Sequence, residues 1–191
     1  MQFFFGACFQ GNVNMLRKYF DASTDIDKKR ARILSKDSSD RTALHFACDS
    51  GALDVVQLLI SNGAIESICV FDSDGCTPLH RAVRNGSSDV VKFLLEAQKK
   101  HNKKYLPIVL NAITSDTTKR TALHIAALER KHEIAKLLLQ YGADKNMKDK
   151  FGNEPKAYGL VQFDEGGSSE HHDCCIPGKG GKQYRSGMCC V

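Results

Sequence analysis

The chain has 191 residues, enough for one domain of ordinary size or one elongated repeat domain with a tail. Apolar residues make up 42%, enough to bury a core, and charged residues 26%, ordinary for a soluble globular protein. The formal charge of +5 falls short of the basic stripe of a dedicated nucleic-acid binder, and no stretch reaches the roughly 18 apolar residues that span a bilayer, so neither role is expected.

The opening MQFFFGACFQGN has a short apolar run without a basic n-region, and residue 2 is Gln. Neither a secretory signal nor N-myristoylation is expected, and the cytosol or the nucleus is the expected location. Cys8, Cys48, Cys69 and Cys76 then read as single buried thiols in a reducing compartment. Residues 7–19, ACFQGNVNMLRKY, align with ACDSGALDVVQLL at 47–59, which predicts a partial repeat over about 1–36. The basic run DKKRARILSKD at 27–37 is expected to form a loop after it.

Three fuller copies follow: RTALHFACDSGALDVVQLLISNGA at 41–64, CTPLHRAVRNGSSDVVKFLL at 76–95 and RTALHIAALERKHEIAKLLLQYGA at 120–143. Their threonines, Thr42, Thr77 and Thr121, are 35 and 44 residues apart. Thr42 suits a helix N-cap, and Pro78 suits the first helical position, where a missing N–H is harmless. Gly51 and Gly86 suit the left-handed stop after a short first helix; Arg130 takes that place in the last copy at about 1 kcal/mol. Val55, Val56, Leu58 and Leu59, and then Ile134, Leu137 and Leu138, are apolar at the spacing of an amphipathic second helix.

After Leu95 the spacing lengthens. Lys99, Lys100, Lys103 and Lys104 are expected to extend the second helix, and Leu106, Ile108, Val109 and Leu110 to pack the chain back. That basic knot reads as a nuclear-import signal, a contact for an acidic partner, or a solvated helix end favoured by the helix dipole. Residues 149–160, DKFGNEPKAYGL, restart the pattern as a polar capping half-repeat.

Three tandem copies of T-[AP]-L-H-x-A near a 33-residue period resemble the ankyrin-repeat family, over most of residues 1–160. The first copy carries two extra residues and the second eleven. The resemblance implies an all-α solenoid of helix-turn-helix units with projecting turns, divided at about 1–36, 37–71, 72–115, 116–148 and 149–160. A flexible, disordered Gly/Cys-rich tail over 161–191 completes the expected organisation. Within the family, DSSDRTALHFACDSG is similar to the early repeats of gankyrin-like proteasome chaperones, which implies proteasomal ATPase subunits as partners.

The family resemblance also implies a protein partner bound by the turn tips and the exposed side of the first helices. Carried onto this sequence, the tips are Ser38, Ser39 and Arg41, then Ser73, Asp74 and Cys76, then Thr118 and Arg120. The first-helix positions are Phe46, Asp49 and Ser50, then Arg81, Arg84 and Asn85, then Ile125, Leu128 and Glu129. Phe46, Arg81 and Arg84 stand out, because aromatic and arginine side chains concentrate binding energy. Arg41, Arg81, Arg84 and Arg120 on one side point to an acidic or mixed-charge partner, interrupted by Asp40, Asp49 and Asp74. A monomer is expected.

His45, His80 and His124 recur at one repeat position, which separates them along the array; the family uses this histidine to bond backbone of adjoining turns. No Ser/His/Asp order, HExxH, phosphate loop or regular zinc spacing occurs in the repeats, so neither enzyme activity nor a cofactor is expected. The tail, GGSSEHHDCCIPGKGGKQYRSGMCCV, has three readings: an inert extension, S-acylation of Cys174, Cys175, Cys189 or Cys190 with membrane contact, or a soft-metal site adding His171 and His172. Met188 stands where a prenylation box needs cysteine.

Overall fold

A computed structural model describes residues 2–22 and 25–159, so the tail lies outside the described residues. Helices α1 (Gln2–Phe9) and α2 (Val13–Ala22) form the first unit, and α3 (Ile26–Leu34) follows. Then come α4 (Ala43–Ser50) with α5 (Leu53–Ser61), α6 (Pro78–Asn85) with α7 (Ser88–Asn102), α8 (Leu106–Leu110), and α9 (Ala122–Leu128) with α10 (His132–Gln140). Short 3-10 segments lie at Ala64–Cys69, Lys103–Tyr105 and Pro155–Tyr158. No helix among the described residues is long and apolar enough to cross a membrane.

The first helices stack in the order α1, α4, α6, α9 and the 3-10 turn at Pro155; α2, α5, α7 and α10 form a second layer behind them. Each first helix is seven or eight residues long, too short to persist alone, so stacking sustains it. Leu44, Leu79 and Leu123 are fully buried between neighbours, and Ala47, Ala82 and Ala126 are small enough for the helices to close on one another.

The helix boundaries follow from local chemistry. Thr42, Thr77 and Thr121 sit in extended N-cap conformations, each in a capping box with the histidine three residues on. Gly51 and Gly86 close α4 and α6 in the left-handed region, at φ 71° and 91°. Arg130 adopts φ 55° at the corresponding place after α9, and the bonds from its N–H to Ala127 and from Lys131 to Ala126 keep the same turn. Lys131 Nζ reaches across to the Val83 carbonyl at 2.9 Å and to that of Arg84, capping the free end of α6.

Residues 27–34 of the expected loop at 27–37 are helical. Asp25 caps α3 by accepting from the Lys28 N–H at 3.0 Å, and Ile33 is drawn fully into the core, which carries a charged helix along with it. The two extra residues of the first full copy lie in the stretch that forms the 3-10 segment Ala64–Cys69. Of the eleven in the next, nine extend α7 and form α8, where Leu106, Val109 and Leu110 are buried and Ile108 is not. The other two lengthen the following turn, which runs from Thr114 to Arg120 instead of from Asp72 to Cys76.

Candidate partner-binding surface

The projecting turns are built by aspartates. Asp37 Oδ1 accepts from the N–H groups of Ser39 and Arg41 at 2.9 Å, and Asp72 Oδ1 from Asp74 and Cys76 at 3.0 and 2.8 Å. Asp149 repeats this with Phe151 and Asn153. In the longer third turn Asp116 does the work. Burial raises its pKa, but the hydroxyls of Thr118 and Thr114 and two backbone N–H groups outweigh that and hold it at about 2.

Successive turns are then bonded to one another. Ser73 N–H donates to Ser39 O at 2.9 Å, Ser115 N–H to Asp74 O at 2.9 Å and Lys150 N–H to Thr118 O at 3.0 Å. The approach is close: a Cβ on Gly75, which has φ 68°, would stand 2.2 Å from Ser115 N. The turn tips therefore form one continuous ladder.

The three histidines tie this ladder to the helices. In each, Nδ1 accepts from the threonine N–H at 3.1–3.2 Å, which fixes the proton on Nε2. Nε2 of His45 then donates to Cys76 O, that of His80 to Ala112 O and that of His124 to Asn153 O, each at 3.1 Å. Burial pushes all three below the usual histidine range, His80 to about 4. Both ring nitrogens are occupied and the rings are neutral, so they hold adjacent units in register. Among the described residues no group of three or more His, Cys, Asp or Glu could hold a metal ion. The thiols of Cys8 and Cys48 are raised by burial, the former to about 12.

The arginine row is only partly free. Arg41 Nε and one terminal nitrogen bond Asp37 Oδ2 at 3.0 and 2.8 Å, and its guanidinium lies 4.4 Å from the Phe46 ring centroid. Arg81 Nε bonds Asp72 Oδ2 at 3.0 Å, and the same side chain reaches Asp74 at 3.0 Å. Arg120 lies over the Tyr158 ring at 5.2 Å. Arg41 and Arg81 brace their own turns, and Arg120 leans on the 3-10 segment that follows. Arg84 is exposed and makes no ion pair among the described residues.

Ser38, Ser73, Asp74, Asn85, Leu128 and Glu129 are also exposed, while Ser39, Phe46, Asp49, Ser50 and Thr118 are half-buried. Asn85 Nδ2 donates to Asp49 O at 2.9 Å, joining α6 to α4 along this face. Cys76 is buried, and Ile125, only 5% exposed, belongs to the core; neither side chain can reach a partner. Cys174, Cys175, Cys189 and Cys190, with His171 and His172, lie outside the described residues.

One part of the surface escaped the sequence reading. An open groove of about 610 Å³ lies beside the first turn, lined by Phe5, Gly6, Phe9, Lys36, Arg41 and Phe46 among others. Phe5 stacks on Phe46 with ring centroids 5.2 Å apart, and Phe9 is 51% exposed. The alignment of Ala7-Cys8 with Ala47-Cys48 already gives Phe9 the register of Asp49 and Phe5 that of His45. That was the available signal.

A stacked helical array with bonded turn tips and a row of exposed side chains defines a repeat scaffold whose working part is a surface. A family model for ankyrin repeats in three copies matches residues 4–105, and a single ankyrin-repeat model matches 118–150. The chain belongs to the ankyrin-repeat family. Residues 106–117, which hold α8 and the start of the lengthened turn, fall between the two matches.

Among its relatives is the probable 26S proteasome regulatory subunit p28 of Saccharomyces cerevisiae, 29% identical over 142 residues, 74% of this chain and 58% of that protein. The phosphate system positive regulatory protein PHO81 of the same yeast is 32% identical over 116 residues, 59% of this chain and 10% of that protein. Canine inversin is 30% identical over 162 residues, 85% of this chain and 14% of that protein. The chain thus spans a little over half of p28 and about a tenth of PHO81.

Proposed function

We propose that the protein is a non-catalytic interaction scaffold in the cytosol or nucleus, gripping a protein partner with its turn tips and first helices. The ladder of turns carries this reading. It fixes Ser73, Asp74, Arg84, Asn85, Leu128 and Glu129 on a rigid support before any partner arrives, which lowers the entropy lost on binding. The pairing of Arg41 and Arg81 with their own turns leaves a face of mixed charge, suited to a partner of mixed charge.

A subunit of the 26S proteasome is the partner class we favour. The relative named as a probable 26S proteasome regulatory subunit supports it, since its 58% coverage exceeds the 10–14% found for PHO81 and inversin. Affinity capture of the full chain, beside an Asp74→Lys, Arg84→Glu variant whose fold is checked by circular dichroism, tests both levels. Proteasomal ATPase subunits should be recovered by the native chain and lost from the variant. Recovery of other proteins alone would remove the proteasome reading; a bound set unchanged in the folded variant would remove the surface itself.

A further inference from the structure

Three elements do not belong to the plain repeat: α3, the 3-10 segment Ala64–Cys69, and the end of α7 with α8. They are brought together, since α3, α7 and α8 all pack against Ala64–Cys69. The segment Ala64–Cys69 also packs on α4, α6 and α5, and α3 on α4, so the added layer is seated on the repeat body.

Their charge is unlike that of the rest. Between Asp25 and Lys36 five basic residues stand against two carboxylates; between residues 97 and 115 four lysines stand against none; Glu66 is the one acid of 64–70. These segments together hold +6, whereas the whole chain holds +5. The repeat body is therefore close to neutral, and the net positive charge of the protein resides in the added elements.

The lysines of the insertion are exposed. Lys100, Lys103 and Lys104 make no ion pair among the described residues, and Lys99 lies over the Tyr141 ring. The helix dipole accounts for Lys99 and Lys100 in the last turn of α7, but not for Lys103 and Lys104 beyond it. Large apolar side chains are exposed beside them in the chain: Tyr105 at 45% and Ile108 at 54%. Clustered lysines interleaved with an exposed tyrosine and isoleucine combine the two attractions that hold a protein at a lipid interface, headgroup charge and shallow apolar insertion.

We propose that this added layer docks on an anionic lipid bilayer, with Lys99, Lys100, Lys103 and Lys104 on the headgroups and Tyr105 and Ile108 at the acyl boundary. The choice of lysine favours a bilayer over an acidic protein. Lysine is a hydrated point charge that meets a diffuse field of headgroups well, whereas fixed recognition of carboxylates favours the arginine fork, which this insertion lacks.

Sedimentation of the full chain with phosphatidylcholine vesicles, with and without about 30% phosphatidylserine, tests this. Partition should require phosphatidylserine and fall about tenfold between about 0.1 M and about 0.5 M salt. It should drop about fivefold for each lysine replaced in the Lys99→Gln, Lys100→Gln, Lys103→Gln, Lys104→Gln series. Ile108→Ser, which keeps all four lysines and adds no charge, should lower it severalfold at unchanged melting temperature, a reading independent of the charges. Arg84→Glu should leave it unchanged. Absence of phosphatidylserine-dependent partition, or partition indifferent to both the lysine series and Ile108→Ser, would overturn the proposal. Lysine-dependent binding of a polyglutamate peptide without vesicle binding would overturn it in favour of an acidic protein.

Discussion

The stacked first helices and the added layer around Ala64–Cys69 solve opposite problems. In the stack the positions between neighbouring units are committed: Leu44, Leu79 and Leu123 are buried, and each histidine has both nitrogens bonded. In the added layer one face of each helix is anchored, by Ile33 of α3 and by Leu106, Val109 and Leu110 of α8, and the other face is left to charge. A residue shared between two neighbouring repeats has no freedom to vary its chemistry. A residue inserted between repeats has only one neighbour to satisfy, and can carry whatever its exposed side is used for.

Core truncation should expose this contrast most strongly. Leu79→Ala, in the middle of the stack, is expected to lose about 4 kcal/mol by urea unfolding, and Leu106→Ala about 2 kcal/mol, because the edge of the array can relax into the space left. Equal losses would mean that the added layer is as integral to the core as the stack.

Acid should strike the stack next. A histidine whose folded pKa is depressed contributes stability that is complete above its unfolded pKa of 6.5 and is lost as pH falls toward the folded value. For His80, held at about 4, the loss by pH 5 is about 2 kcal/mol, with His45 and His124 acting in the same direction. Protonation would set an Nδ1–H against the Thr77 N–H that it now accepts from. Urea midpoints at pH 7.5 and 5 check this; an unchanged midpoint would contradict the locked neutral ring.

Smaller effects separate the regions further. Arg130→Gly should relieve the left-handed strain after α9 and gain about 1 kcal/mol, a rise of about 3 °C in Tm. Replacing Lys99, Lys100, Lys103 and Lys104 by Gln should change stability by no more than about 0.5 kcal/mol, since Lys100, Lys103 and Lys104 make no ion pair among the described residues. A larger loss would give the lysines a structural role.

The sequence by itself determined the repeating unit: its threonine caps, its left-handed stops at Gly51 and Gly86, its apolar stripes and therefore the stack. These are local signals, legible because each short helix must begin, end and bury one face at a fixed spacing. Only the tertiary structure decided what became of the charges. Arg41 and Arg81 read as free binding residues in sequence, yet Asp37 and Asp72, set nearby by the turn geometry, hold them. Ile125 shares its register with Phe46 and Arg81 but is enclosed. Most of the basic run at 27–37 is helical because the core accepts Ile33, and Phe9 lines a groove because the first turn closes beside it. Pairing between charges and burial by a neighbour depend on which segments meet. A periodic sequence records the unit that repeats, and leaves unwritten the contacts made where the repetition is broken.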